Sequence, residues 1–207
     1  MRDVLSSSLL AQFPWISHGF GTRHAALRQE EMASLQQVHS SLPLVADRPS
    51  GCVGEGDALI TDRRGVALSV RTADCFPILL VNRHRRAVAA VHAGWRGTAA
   101  GVVVKTLERM RVEFGSQPED LYAAIGPGVG VCCYEVGEEV ARLFGFDRAA
   151  RVDLAAWNYR QLTGAGVPEA QIEMPGVCTR CDARHFHSYR RDGERAGRQI
   201  SFIKIVD

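Results

Sequence analysis

No stretch of this chain approaches the ~20 apolar residues that a helix needs to cross a bilayer. The strongest apolar run, Phe76 to Val81, is strand-sized and contains Pro77. The opening residues, MRDVLSSSLLAQFPW, put Asp3 beside Arg2 and then three serines. They lack the continuous apolar segment of an export signal. The expected compartment is therefore the cytoplasm, with no membrane partner. Charge of one sign is also missing: 25 Lys and Arg face 23 Asp and Glu, for a net +2. That balance argues against nucleic acid as a partner. No fixed-period repeat or low-complexity tract occurs. There is no H-E-x-x-H, no G-x-S-x-G and no Walker A sequence, so three common catalytic frameworks are excluded. The run Gly126-Pro127-Gly128-Val129-Gly130 lacks the spacing of a dinucleotide loop and reads as a tight loop lining a cleft.

What is present suits one folded domain. The 207 residues are 46% hydrophobic and 23% charged, near the average for soluble chains. The domain is expected to span 1–207, with 1–12 as a flexible lead. Strand signals fall at Val66 to Val70, Ile78 to Val81, Ala87 to Val91, Leu121 to Ile125 and Gln199 to Val206. Asp47 to Gly56 reads as a loop, and the stretch before His39 as polar helix. A helix is expected from near Thr98, with Val103, Leu107, Met110 and Phe114 on one face and Gly115 as its stop. Glu135 to Phe144 reads as a short helix. Another follows Asp153, a good N-cap. Interspersed helices and strands predict an α+β or α/β domain, and the lack of long crossovers between residues 56 and 92 predicts a mixed sheet.

Six cysteines and seven histidines stand out. In a reducing compartment, burial, metal binding or catalysis precede disulfides as their explanation. His39, Cys75 and His92 form one candidate set, two of them at predicted strand ends. Two imidazoles and a thiolate suit Zn²⁺ and leave its fourth position open. A rival reading makes Cys75 a nucleophile with His92 as its base; a third makes both core residues. Arg71 and Arg96 flank the set at a spacing of four and can grip phosphate or carboxylate, or form structural ion pairs. Asp74 is a candidate acid, base or ligand-orienting group, or a turn residue. Cys178-Thr-Arg-Cys181 is a C-x-x-C that with Cys132 and Cys133 offers a structural zinc set. Adjacent cysteines seldom chelate one ion well, so free thiols are the expectation. His185-Phe-His187, if a strand, presents both histidines on one face, as metal ligands or a polar surface.

The motifs Arg71-Thr-Ala-Asp-Cys75, Val91-His-Ala-Gly-Trp-Arg-Gly97, Ala124-Ile-Gly-Pro127, Tyr134-Glu-Val-Gly137 and Ser188-Tyr-Arg-Arg-Asp-Gly193, in that order, resemble the YfiH or laccase-domain family. That family is also labelled polyphenol oxidase, purine nucleoside phosphorylase and peptidoglycan editing factor. The resemblance runs from about Gly19 to the C-terminus. It implies a single α+β domain in α/β/β/α layers, with one catalytic zinc held by His39, Cys75 and His92. Catalytic roles fall to Arg71, Asp74 and Arg96. The implied activity is phosphorolysis of adenosine, inosine, guanosine and S-methyl-5′-thioadenosine, with deamination of adenosine. The implied partners are a purine nucleoside and phosphate, and the chain is expected as a monomer or weak dimer. Amide hydrolysis on a UDP-MurNAc precursor is the alternative, and copper-dependent phenol oxidation ranks below both. Two features depart from the family pattern: a short segment between Gly21-Thr-Arg23 and Gln37-Val-His39, and His185-Phe-His187 in place of an aromatic pair.

Overall fold

The computed structural model describes residues 3–174 and 176–206. Its framework is two six-stranded sheets. The first runs in the order β1 (Val4–Leu5), β2 (Ile16–Gly21), β14 (Gln199–Ile205), β7 (Ala67–Thr72), β3 (Ala33–Gln36) and β5 (Gly51–Glu55). The second runs β13 (Ile172–Glu173), β10 (Leu121–Ile125), β8 (Phe76–Asn82), β9 (Ala87–Ala93), β6 (Ala58–Thr61) and β4 (Pro43–Val45). A small ribbon pairs β11 (Glu135–Val136) with β12 (Ala150–Arg151). Both large sheets mix parallel and antiparallel pairs. The fold is thus the expected α+β domain with mixed sheets.

The alternation of side chains along β8 and β9 explains the layering. Leu79, Val81, Val88 and Ala90 share a core with Ile16, Phe20, Leu68, Val70, Ile203 and Ile205 of the first sheet. Ile78, Leu80, Ala89 and Val91 face the other way, into a core with α2 (Val102–Phe114) and α4 (Leu154–Gly164). Burial on both faces is why these strands read as unbroken apolar runs. Asn82 makes the β8–β9 turn locally: its Oδ1 accepts from the amides of His84 at 3.0 Å and Arg85 at 2.7 Å. The turn fixes the register at Asn82 opposite Ala87 and Pro77 opposite His92. Both long helices lie on one side, so the helical layer expected outside the first sheet has no long helix among the described residues.

Helix ends follow the sequence closely. Asp153 Oδ1 accepts from the Ala156 amide at 2.9 Å, capping α4. Gly115 takes the left-handed conformation (φ 66°) that ends α2. Four local expectations are corrected. The helix expected from Thr98 begins earlier, as α1 (Trp95–Ala99), and breaks at Gly101 (φ 73°) before α2. The helix over 135–144 shortens to α3 (Glu138–Arg142), because Glu135 and Val136 pair with Arg151 and Ala150. The polar stretch before His39 is strand β3, and Asp47 to Gly56 contains the edge strand β5. Of the expected flexible lead, Met1 and Arg2 lie outside the described residues; the rest carries β1 and the fully buried Leu10.

Candidate metal centre

The turn before β8, the last residues of β9 and the loop after β3 meet at the end of the second sheet opposite the β8–β9 turn. Cys75 sits in the turn from β7 to β8, His92 lies in β9 opposite Pro77, and His39 follows β3. One ligand atom from each of the three lies within 4.8 Å of the others. His92 is buried, Cys75 partly so, and His39 exposed, so the cluster opens to solvent on one side. The His39 and His92 rings stand nearly edge to face, with centroids 5.0 Å apart.

Asp57, fully buried, organises this cluster, and the sequence reading did not single it out. Its Oδ1 accepts from His92 Nδ1 at 2.7 Å. That contact leaves His92 Nε2 for the cluster and fixes the imidazole tautomer, as a carboxylate does behind a metal-binding histidine. The same carboxylate accepts from the amides of Val38 (3.3 Å), His39 (3.1 Å) and Ser40 (2.5 Å), and from Ser40 Oγ (2.7 Å). Converging amides compensate for the left-handed backbone of His39 (φ 59°), which a non-glycine residue adopts at a cost. Gln37 completes the anchorage: its amide pairs with the Arg71 N–H and C=O, each at 2.8 Å.

Burial alone would raise the Cys75 thiol, but hydrogen bonds and charge from His39 and His92 outweigh it and bring it down to about 6. Burial alone would lower His92; Asp57 and the Cys75 sulfur outweigh it and hold the imidazole up at about 9. Cys75 is thus poised as a thiolate. Gly94 leaves room for the group. A Cβ there would fall 2.9 Å from Cys75 Sγ and 3.0 Å from His39 Cδ2, so any side chain would have to push both of these groups aside. Two imidazoles and a thiolate on a half-open rim, with one imidazole braced by a carboxylate, fit a tetrahedral Zn²⁺ with its fourth position free.

The other anticipated residues are distributed unevenly. Asp74 is buried in a left-handed conformation (φ 84°), with its carboxylate saturated by Thr179 Oγ1 at 2.6 Å, Ser188 Oγ at 3.0 Å and the Arg190 amide at 2.6 Å. It fastens the 179–190 segment to the cysteine loop. Arg71 and Arg96 are exposed on the two segments flanking the cluster, and Arg96 lies over the Trp95 ring at 4.2 Å. His185 lies in a turn and His187 in the irregular segment just before the helix at Tyr189–Asp192; neither is in a strand. His185 Nδ1 bonds Asp182 at 2.8 Å, and the His187 ring packs where a Gly197 side chain would be, so neither joins the centre. Tyr134 lies close enough to Cys75 to feel its charge, and the Arg190 guanidinium sits 4.8 Å above the Tyr134 ring. Burial, added to by the nearby Cys75 and Asp74 charges and opposed by Arg190, pushes the Tyr134 hydroxyl up to about 12, so it stays protonated. Both residues belong to the quoted Tyr134-Glu-Val-Gly137 and Ser188-Tyr-Arg-Arg motifs, which were the signal available for them.

Residues 21–206 match the family described as "Multi-copper polyphenol oxidoreductase laccase", and the chain belongs to that family. A relative named purine nucleoside phosphorylase from Bacteroides thetaiotaomicron is 42% identical over 72% of this chain and 60% of its own length. This chain therefore spans about three fifths of that relative. A protein named adenosine deaminase RL5, from an unknown prokaryotic organism, is 37% identical over 71% of the chain and 61% of its own. Geobacillus stearothermophilus YlmD, also named a purine nucleoside phosphorylase, is 37% identical over 87% of the chain and 72% of its own. Its crystal structure superposes with a TM-score of 0.90 and 26% identity, covering 100% of this chain and 97% of that one.

Proposed function

We propose that this chain is a zinc-dependent purine nucleoside phosphorylase acting on adenosine, inosine, guanosine and S-methyl-5′-thioadenosine, and that it also deaminates adenosine. The observation that carries the reading is the meeting of His39, Cys75 and His92, braced by Asp57, in a chain whose relatives bear the names phosphorylase and deaminase. His39, Cys75 and His92 would hold the zinc. When bound, zinc supplies Lewis acidity for activating an oxygen nucleophile and polarising the substrate.

The chain's own residues do the rest. Asp57 holds His92 Nδ1 and the 38–40 amides, keeping two ligands oriented without moving at each turnover. Arg71 and Arg96, exposed beside the cluster, supply guanidinium forks for phosphate. Asp74, with three donors on its carboxylate, acts as a positioning residue rather than a proton carrier. It holds Arg190 beside Tyr134 at the rim. The test is to incubate zinc-loaded protein with adenosine and phosphate. Adenine, ribose 1-phosphate and inosine are expected; none of these from wild type, with His39→Ala and Cys75→Ala indistinguishable from it, overturns the reading.

One alternative has an observation behind it. Cys75, His92 and Asp57 stand in the order nucleophile, base and orienter, which suits an amidase acting on a UDP-MurNAc precursor. Amide cleavage that survives chelation would favour it. Copper-dependent phenol oxidation fits less well. The histidines outside this centre do not gather into further sites among the described residues, and blue-copper absorbance after copper loading is the sign that would raise its standing.

A further inference from the structure

A second group of ligands lies in the two loops behind the rim. Cys132 and Cys133 sit in the turn that follows Gly130, and Cys178 and Cys181 in the turn that follows Gly176 and Val177. All four sulfurs lie within 4.8 Å of one another. Cys181 Sγ is 3.7 Å from Cys132 Sγ and 3.4 Å from Cys133 Sγ. Four thiolates at ~2.3 Å around a tetrahedral zinc sit ~3.8 Å apart, so the observed spacing is close to what one ion requires.

The backbone is built around the sulfurs. The Gly130 amide donates to Cys178 Sγ at 3.2 Å, and the Arg180 guanidinium to Cys133 Sγ at 3.4 Å. Both are donors suited to a thiolate. Gly130 also leaves the sulfurs room: a Cβ there would fall 3.1 Å from Cys178 Cβ and 3.2 Å from Cys132 Sγ. Four thiolates around a divalent cation leave a net charge of −2, and three arginines, Arg151, Arg180 and Arg190, outnumber the one carboxylate, Glu135, in the hollow that adjoins Cys132 and Cys133. The loops already touch through a bridge from Gly128 to Cys178 and the Thr179 amide on the Gly128 carbonyl at 2.9 Å. The sequence objection that neighbouring cysteines chelate poorly is met by the 131–133 turn, which brings both sulfurs to Cys181.

We infer that Cys132, Cys133, Cys178 and Cys181 form a second, structural Zn²⁺ site, distinct from the His39–Cys75–His92 centre. Four protein thiolates leave no open position, so the ion does no chemistry. It clamps the 128–134 loop to the 178–181 loop. Thr179, inside the C-x-x-C, donates to Asp74, and Tyr134 follows Cys133 directly, so the clamp fixes one wall of the candidate active site.

The test is metal analysis of the full chain, purified under reducing conditions from zinc-supplemented cells. Wild type is expected to hold two zinc ions, and Cys75→Ala one. Cys178→Ser/Cys181→Ser is expected to lose one ion, but that variant can unfold, so Cys75→Ala carries the decision. Cobalt-substituted Cys75→Ala should show the intense visible absorption and sulfur-to-metal charge transfer of a tetrathiolate site. One zinc in both wild type and Cys75→Ala supports the clamp and removes the catalytic zinc instead. A metal-free Cys75→Ala protein, an iron centre in place of zinc, or mass spectrometry showing the four cysteines as disulfides overturns the inference.

Discussion

Asp57 carries more of the centre than any single ligand. It braces His92, receives the 38–40 amides and is fully buried. Asp57→Asn keeps the shape but turns an amide N–H₂ toward donors. We expect metal binding ~10–100-fold weaker, the usual effect of losing a carboxylate behind a histidine ligand. Zinc titration against a competing chelator measures it. Gly94→Ala adds one methyl 2.9 Å from Cys75 Sγ, where the backbone (φ −79°) tolerates any residue. The expected result is impaired metal binding, with an overpacking cost of ~1–3 kcal/mol confined to that rim; metal analysis beside thermal unfolding checks it. The three ligands were legible because each lies in a recognisable motif. Asp57 was not: it lies in Gly54-Glu-Gly-Asp57, a stretch with no local signature. Its role exists only because β6 pairs with β9, setting Ala58 opposite Val91 and so Asp57 beside His92.

At the scale of elements, legibility followed burial and capping. β8 and β9 are buried on both faces and show as apolar runs; α2 and α4 show through periodicity and their end residues. The cap makes a direct prediction. Asp153→Ala should cost ~1 kcal/mol, since the Ala156 amide loses its acceptor; urea unfolding measures it. The elements that differ from the sequence expectation, β3, β5 and the β11–β12 ribbon, are short or lie at sheet edges. Their mixed composition carries neither a 2- nor a 3.6-residue period, and distant partners decide their conformation. The cysteine turns belong here too. Nothing in Cys132-Cys133 alone predicts that a turn will bring both sulfurs to Cys181, 48 residues further on from Cys133.

Across the whole molecule, the two sheets and one helical layer form a rigid base, and the chemistry-bearing loops gather at one end. The 37–40, 71–75 and 92–96 segments supply the candidate ligands and arginines; the 128–134 and 178–190 segments supply the wall. The anion-binding role proposed for Arg71 and Arg96 is local, and two exposed arginines leave no mark on a net charge of +2. No helix is long and apolar enough to cross a membrane among the described residues. The central claim, that His39, Cys75 and His92 hold a zinc on which purine nucleoside turnover depends, is tested most directly by adding zinc back to chelated protein. The readout is adenine released from adenosine in phosphate. The account predicts a rate that is lost on chelation, returns as zinc is titrated in, and stays absent in Cys75→Ala. A rate unchanged by chelation, or retained in Cys75→Ala, would contradict it.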